Sequence, residues 1–296
     1  MISPLQEALQ SGRTLLADGA TGTMLQKEGL ACGEAPERWT LERPEAIAGL
    51  SRGYIQAGSD LILTNTFGAN ALRMKLCGLE DRVAELNREA VRLARREIAA
   101  AGRPVFLVGS IGPTGEMVEP YGDLTEADAR GAFLAQAKAL VEAGVDGLVC
   151  ETFGALEELQ LAVSAAKEAA GSLPVMASMA FDGGGHTMMG VTPQAAVLAM
   201  REAGVAAVGA NCSVGPEGLI AVIKAMHAAD PAMRLWAKPN AGLPQLVAGK
   251  TVYTTTPDGM ADFVRQVRTF NVAVVGGCCG STPDHLSAMR QALDTP

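Results

Sequence analysis

The sequence predicts an α/β fold, a (β/α)8 TIM barrel in a single domain, and three observations carry that reading. Short β-rich runs alternate with helical patterns along the whole chain, the pattern of βαβ units and a parallel sheet. The runs number eight, each followed by a helical stretch, which is the count a closed barrel needs. The 296 residues, 48% of them hydrophobic, can fill one large core. No linker, low-complexity tract or shift of composition divides them, so one domain over residues 1–296 is expected.

In chain order the strands are expected at Thr14–Asp18, Asp60–Asn65, Pro104–Ile111, Gly147–Thr152, Leu173–Met179, Ala207–Asn211, Arg234–Asn240 and Asn271–Gly276. Between the second and third, Val83, Leu86, Ala90, Val91, Leu93, Ala94 and Ile98 recur at helical spacing, while Arg88, Arg92, Arg95 and Arg96 fall mostly elsewhere. Those arginines read as a solvated helix face rather than a nucleic-acid patch. Thr125 precedes Glu126 and Asp128 as an N-cap does, and Thr192-Pro193, Thr256-Pro257 and Thr282-Pro283 each set a cap before a first-turn proline. The segments EAGVDGLV and EAGVAAVG look like one helix-turn-strand element used twice.

Composition narrows the function. A net charge of −8 and a pI near 5.0 argue against nucleic acid or an anionic membrane as partner. The start MISPLQEALQSGR lacks the basic and apolar regions of a leader, and no run approaches about 18 apolar residues, so a soluble, cytoplasmic protein is expected. The six cysteines are irregularly spaced, which favours reduced thiols or metal ligands over a disulfide framework. With only His186, His227 and His285 available, a serine or cysteine nucleophile paired with histidine has few bases to use.

Barrel chemistry lies on the loops at the C-terminal strand ends. The first strand ends in Asp18-Gly19-Ala20-Thr21, the fourth in Glu151-Thr152, the sixth in Asn211-Cys212-Ser213 and the eighth in Gly277-Cys278-Cys279-Gly280. Cys212, Cys278 and Cys279 are either small buried apolar groups or a thiolate metal site. Zinc is the first candidate, because it takes three protein ligands and leaves a fourth position for substrate. Three thiolates make the ion a poor source of hydroxide but suit it to holding a substrate thiol as thiolate. Asp18 and Glu151 could cap helices or pair with lysine; beside such a metal they suit an ammonium. Backbone N–H groups of Gly19, Ala20 and Thr21 suit a carboxylate. An amino-acid thiol meets all three demands. Cys32, Cys77 and Cys150 are expected to pack as small apolar groups.

The segments DGATGTMLQ, ILTNTFGAN, GSIGPTGE, ETF, NCS, KPNAG and VVGGCCGSTPDH, running from about Asp18 to His285, resemble the homocysteine S-methyltransferase family, most closely the homocysteine-binding barrel of cobalamin-dependent methionine synthases. The resemblance implies a zinc-dependent methyltransferase that binds Zn2+ through Cys212, Cys278 and Cys279 and activates homocysteine as a zinc-bound thiolate. It also implies that Asp18 and Glu151 hold the substrate amine, and that Asn211 and Ser213 shape the pocket or support the ligands. The chain departs from those synthases in carrying no folate barrel and no Asp-x-His-x-x-Gly corrinoid signature, the DGGGHT around His186 having the wrong spacing. Methyl is therefore expected from another molecule, with methylcobalamin on a separate corrinoid protein first. S-methylmethionine or S-adenosylmethionine is the alternative donor. Gly68 stands where betaine users carry an aromatic side chain, which disfavours a quaternary ammonium cage. Two other readings stand beside the enzyme: a zinc- and homocysteine-binding subunit that docks a corrinoid protein, and a phosphate-binding barrel using the glycine-rich loops.

Overall fold

The computed structural model describes residues 2–247 and 250–295. Its barrel strands are β1 (Leu15–Leu16), β2 (Leu61–Leu63), β3 (Phe106–Ile111), β4 (Gly147–Phe153), β5 (Val175–Met179), β6 (Ala207–Asn211) and β7 (Leu235–Lys238), completed after the hairpin strands β8 (Gln245–Val247) and β9 (Lys250–Val252) by β10 (Val272–Val275). All eight expected strands form, several of them shorter than the sequence suggests. The order β1-β10-β7-β6-β5-β4-β3-β2 is parallel throughout and makes a nearly closed (β/α)8 barrel surrounded by helices. The β8–β9 hairpin is an unpredicted insertion on the C-terminal face.

The seam between β1 and β2 depends on side chains, because β1 has only two ladder residues. Asp60 N–H donates to the Leu16 carbonyl at 2.7 Å, and Leu16 N–H returns to the Asp60 carboxylate at 2.9 Å. One turn up, Leu63 N–H donates to Asp18 Oδ2 at 2.8 Å. Two carboxylates thus replace the carbonyls that a longer strand would have supplied, and satisfy amides that burial would otherwise penalise. Asp60 is further clamped by Arg13 and by Arg290 at 2.9 Å.

The barrel interior is filled by a layer including Leu15, Leu61, Val108, Val149, Met176 and Trp236. The helix Pro4–Gln10 inserts fully buried Leu5 and Leu9 into that same cluster. The N-terminal mouth is thereby plugged, leaving the C-terminal end to open to a ligand. Helix Val83–Ala100 buries the predicted apolar stripe, and Arg92, Arg95 and Arg96 pair with Glu89, Asp146 and Glu45, as a solvated face does. The predicted caps hold: Thr125, Thr192 and Thr256 accept from the amides of Asp128, Ala195 and Gly259. His285 packs at the start of the last helix, where its Nδ1 accepts from Thr282 N–H and its Nε2 reaches the Thr255 carbonyl. No helix among the described residues is long and apolar enough to cross a membrane.

Replacing Asp60 with Ala removes the acceptor for Leu16 and the carboxylate shared by Arg13 and Arg290. Chemical denaturation is expected to show a loss of about 2–4 kcal/mol; an unchanged midpoint and slope would mean that the seam closes without it.

Candidate functional site

A cavity of about 840 Å3 opens at the C-terminal end of the barrel, and one end of it is walled by Asp18, Glu151, Lys238, Cys212, Cys278 and Cys279. The cysteines arrive from β6 and β10, with β7 between them. Their three Sγ atoms lie within 4.8 Å of one another, Cys212 and Cys279 at 3.8 Å. Three thiolates at about 2.3 Å around one tetrahedral zinc would stand about 3.8 Å apart, so the donor set and spacing suit that ion.

Backbone geometry sets this convergence. Cys212 and Ser213 both adopt left-handed φ, +64° and +58°, turning the chain sharply as β6 ends. Cys212 N–H donates to the Lys238 carbonyl and Cys278 N–H to the Pro239 carbonyl, tying both thiol-bearing segments to the end of β7. Gly280, at φ +82°, follows the pair of cysteines because a Cβ there would lie 2.1 Å from Cγ of Tyr253. Tyr253, which leads out of the hairpin, thus packs directly against the thiol loop.

Metal-free, the thiols are protonated at neutral pH. For Cys212, the bond from Cys278 favours the thiolate, but the bond with Cys279, burial and neighbouring thiolate charge outweigh it and push the pKa up to about 12. Cys279 behaves alike, its bond with Cys212 being outweighed by Cys278 and burial, up to about 12. The partnership with Cys212, followed by burial, raises Cys278 as well.

The carboxylates are organised by a residue that sequence reasoning missed. Lys238, 3% exposed, donates from Nζ to Asp18 Oδ1 at 2.7 Å, while Asp18 Oδ2 takes the seam amide of Leu63. Glu151 accepts from the Ser110 hydroxyl at 2.5 Å. Burial raises the Glu151 pKa despite the opposing charge of Lys238 and the Ser110 bond. Burial lowers the Lys238 pKa, but Asp18 and Glu151 outweigh it, so the ammonium stays charged. The available signal was a lysine ending the otherwise apolar LWAK strand, within the KPNAG segment.

The remaining candidates separate. Gly19, Ala20 and Thr21 line the cavity, but Ala20 N–H is taken by the Ser281 hydroxyl at 3.0 Å; the amides of Gly19 and Thr21 have no protein acceptor among the described residues. Asn211 is a brace: its Oδ1 accepts from Thr152 N–H at 3.0 Å and from the Ser178 hydroxyl, and its Nδ2 donates to Thr152 Oγ1 at 2.7 Å. It holds Thr152 at φ +67° and points the same Nδ2 toward Cys278 Sγ at 3.9 Å. Ser213 is exposed and lies outside the cavity wall, since the left-handed turn directs it away. Cys150 is buried as expected; Cys32 is exposed and Cys77 half-buried, both on the outer cavity wall, because the segments after β1 and β2 form a rim rather than a core. His186 occupies an exposed turn.

Asn211→Ala leaves Thr152 N–H and the Ser178 hydroxyl without their acceptor. Denaturant titration is expected to show a loss of about 1–3 kcal/mol; no loss would remove the brace from this account.

The profile of the homocysteine S-methyltransferase family matches residues 15–293. Methionine synthase of Mycobacterium tuberculosis is 31% identical over 96% of this chain, and that of Mycobacterium leprae 30% over 95%. The chain spans about a quarter of the length of these relatives, 25% and 24%. The fold superposes on the metallated homocysteine methyltransferase MmuM of Escherichia coli with a TM-score of 0.80 at 24% identity, covering 97% of this chain and 99% of that one. The oxidised form of the same enzyme gives 0.79 at 25% identity, with the same coverage. The chain belongs to the homocysteine S-methyltransferase family.

Proposed function

We propose that this barrel methylates homocysteine to methionine, with Cys212, Cys278 and Cys279 holding zinc. The observation that carries the proposal is the cluster of three thiols within 4.8 Å at the carboxylate-lined end of one cavity. Zinc bound there supplies a fourth coordination position that favours the substrate sulfur as thiolate at neutral pH. The protein groups supply recognition. Asp18 and Glu151 accept from the substrate ammonium, with Lys238 holding Asp18 in orientation. The free amides of Gly19 and Thr21 suit its carboxylate. The thiolate sulfur attacks the methyl carbon, a sulfur–carbon bond forms, and the electron pair of the broken bond leaves with the donor. Alignment of the two is the main catalytic demand, because the thiolate is already a strong nucleophile.

A methylcorrinoid protein supplied in trans is the first donor reading, supported by kinship with the methionine synthases. The cavity favours a second reading, a small sulfonium such as S-methylmethionine or S-adenosylmethionine. A volume of about 840 Å3 lies in the range that accepts drug-sized ligands and greatly exceeds one small amino acid. Methionine formation by zinc-loaded protein, given homocysteine with either methylcobalamin or S-methylmethionine, separates the two. Transfer from neither donor would favour a docking subunit without turnover.

Zinc uptake at neutral pH is expected to release about three protons per chain, one per raised thiol, so apparent affinity should fall about a thousandfold per pH unit as pH drops. Cys278→Ala should lose stoichiometric zinc, and metal analysis showing equal zinc in wild type and variant would overturn the ligand assignment. Glu151→Gln is expected to weaken homocysteine binding by about 1–3 kcal/mol in calorimetry of the zinc-loaded protein; equal affinity would exclude Glu151 from holding the amine.

A further inference from the structure

The outer end of the cavity, away from the thiols, is walled by Phe67, Arg73, Met74 and Cys77 from the segment after β2, with Pro36 and Arg38 facing them. Arg73 is unlike the other arginines there and elsewhere. It is half-buried, yet among the described residues its guanidinium makes no hydrogen bond and no ion pair; only its backbone amide is bonded, to Asn70 Oδ1 at 2.9 Å. Arg38 on the same wall pairs with Glu42 and Glu34. Among the described residues, Arg88 is the other arginine whose guanidinium has neither a hydrogen bond nor an ion pair, and it is exposed on an outer helix.

The guanidinium is nonetheless held in place. A Cβ on Gly68 would lie 3.0 Å from Arg73 Cδ and Nε, and a Cβ on Gly115 3.0 Å from Nη1, so the side chain passes between two glycines of different loops. Its Cζ stands 5.9 Å from the Phe67 ring centre. The nearby buried carboxylates Glu37 and Glu158 attract its charge but take no hydrogen bond from it: Glu37 accepts from Gly68 N–H at 2.6 Å, and Glu158 from the amide and hydroxyl of Thr114. A partly desolvated guanidinium with free N–H donors is a site for a carboxylate or phosphate oxyanion taken bidentately.

We infer that Arg73 is the specificity residue of a methyl-donor subsite and binds an oxyanion carried by the donor. The inference rests on the homocysteine methyltransferase reading above and adds the half of the site that faces the thiol. Homocysteine occupies the end bearing Asp18, Glu151 and the cysteines, and Arg73 fixes the second molecule by a negative group remote from its methyl. Two sources present that chemistry: the carboxylate of an amino-acid sulfonium, and the phosphodiester of a complete methylcobalamin. With the sulfonium, the homocysteine thiol gives up its proton to solvent before transfer. Its thiolate then forms the new sulfur–carbon bond, and the pair of the broken bond returns to the donor sulfur, leaving a neutral thioether.

Arg73→Met breaks no hydrogen bond, though it removes the attraction of the guanidinium for Glu37 and Glu158; zinc content and homocysteine affinity should equal wild type. The test compares donors in pairs on zinc-loaded protein with saturating homocysteine: S-methylmethionine against its methyl ester, and methylcobalamin against methylcobinamide, which lacks the phosphodiester. In wild type, the member bearing the oxyanion should be preferred in kcat/KM by about 10- to 100-fold in one pair, as for a charged bidentate contact. The pair showing that preference names the source. Arg73→Met should abolish the preference by raising KM for that member alone, and Arg73→Lys should restore it partly. A preference that survives in Arg73→Met, or that is absent from both pairs in wild type, overturns the inference and leaves the zinc-thiolate reading intact. Transfer from no donor overturns the methyl-transfer reading itself, and the inference with it.

Discussion

The two oxygens of Asp18 hold the molecule together at its most consequential point. One accepts the Leu63 amide and helps to close the barrel where β1 is too short to do so, and the other accepts the buried Lys238 ammonium. A buried ion pair is a doubtful source of net stability, because desolvation offsets most of the attraction. Its value here is positional: both bonds must form for the first strand to meet the second and for the carboxylate to face the cavity. Closure of the sheet and placement of a carboxylate on the cavity wall are therefore one event. The fully buried plug of Leu5 and Leu9 at the opposite mouth leaves ligands the C-terminal end.

The thiol cluster depends on backbone conformations that are costly in isolation. Thr152, Cys212 and Ser213 all take left-handed φ at the ends of β4 and β6, which flank β5, and such residues persist where the surroundings over-determine them. Asn211 supplies much of that constraint, since one amide side chain bonds the Thr152 backbone, the Thr152 hydroxyl and the Ser178 hydroxyl. Tyr253 against Gly280 fixes the other side of the cluster. Three thiols are thus held together while still protonated, and the main cost of binding the proposed zinc would be the release of their protons.

The cavity has two chemically distinct ends. Near the thiols stand two carboxylates and a lysine, charged groups of both signs. Away from them, an unbonded guanidinium and the Phe67 ring face the same space. Two such ends in one enclosure suit a reaction in which one small molecule attacks a group carried by another.

Much of this was legible in the chain itself. Eight apolar runs alternating with amphipathic helices determine a barrel, because parallel strands joined by helices have few other ways to bury both faces. The VVGGCCGS and NCS segments identify the thiols, since cysteines placed at strand ends among glycines have little packing reason to be there. The tertiary structure alone decided the rest, because those relations join residues distant in sequence. Lys238 meets Asp18 across 220 positions, so its strand end showed a charge but no partner. The left-handed turn that directs Ser213 out of the cavity is invisible in a tripeptide whose other members face inward or brace the wall. The freedom of the Arg73 guanidinium is a statement about what surrounds it, and only the folded rim determines which neighbours a side chain has and which it lacks.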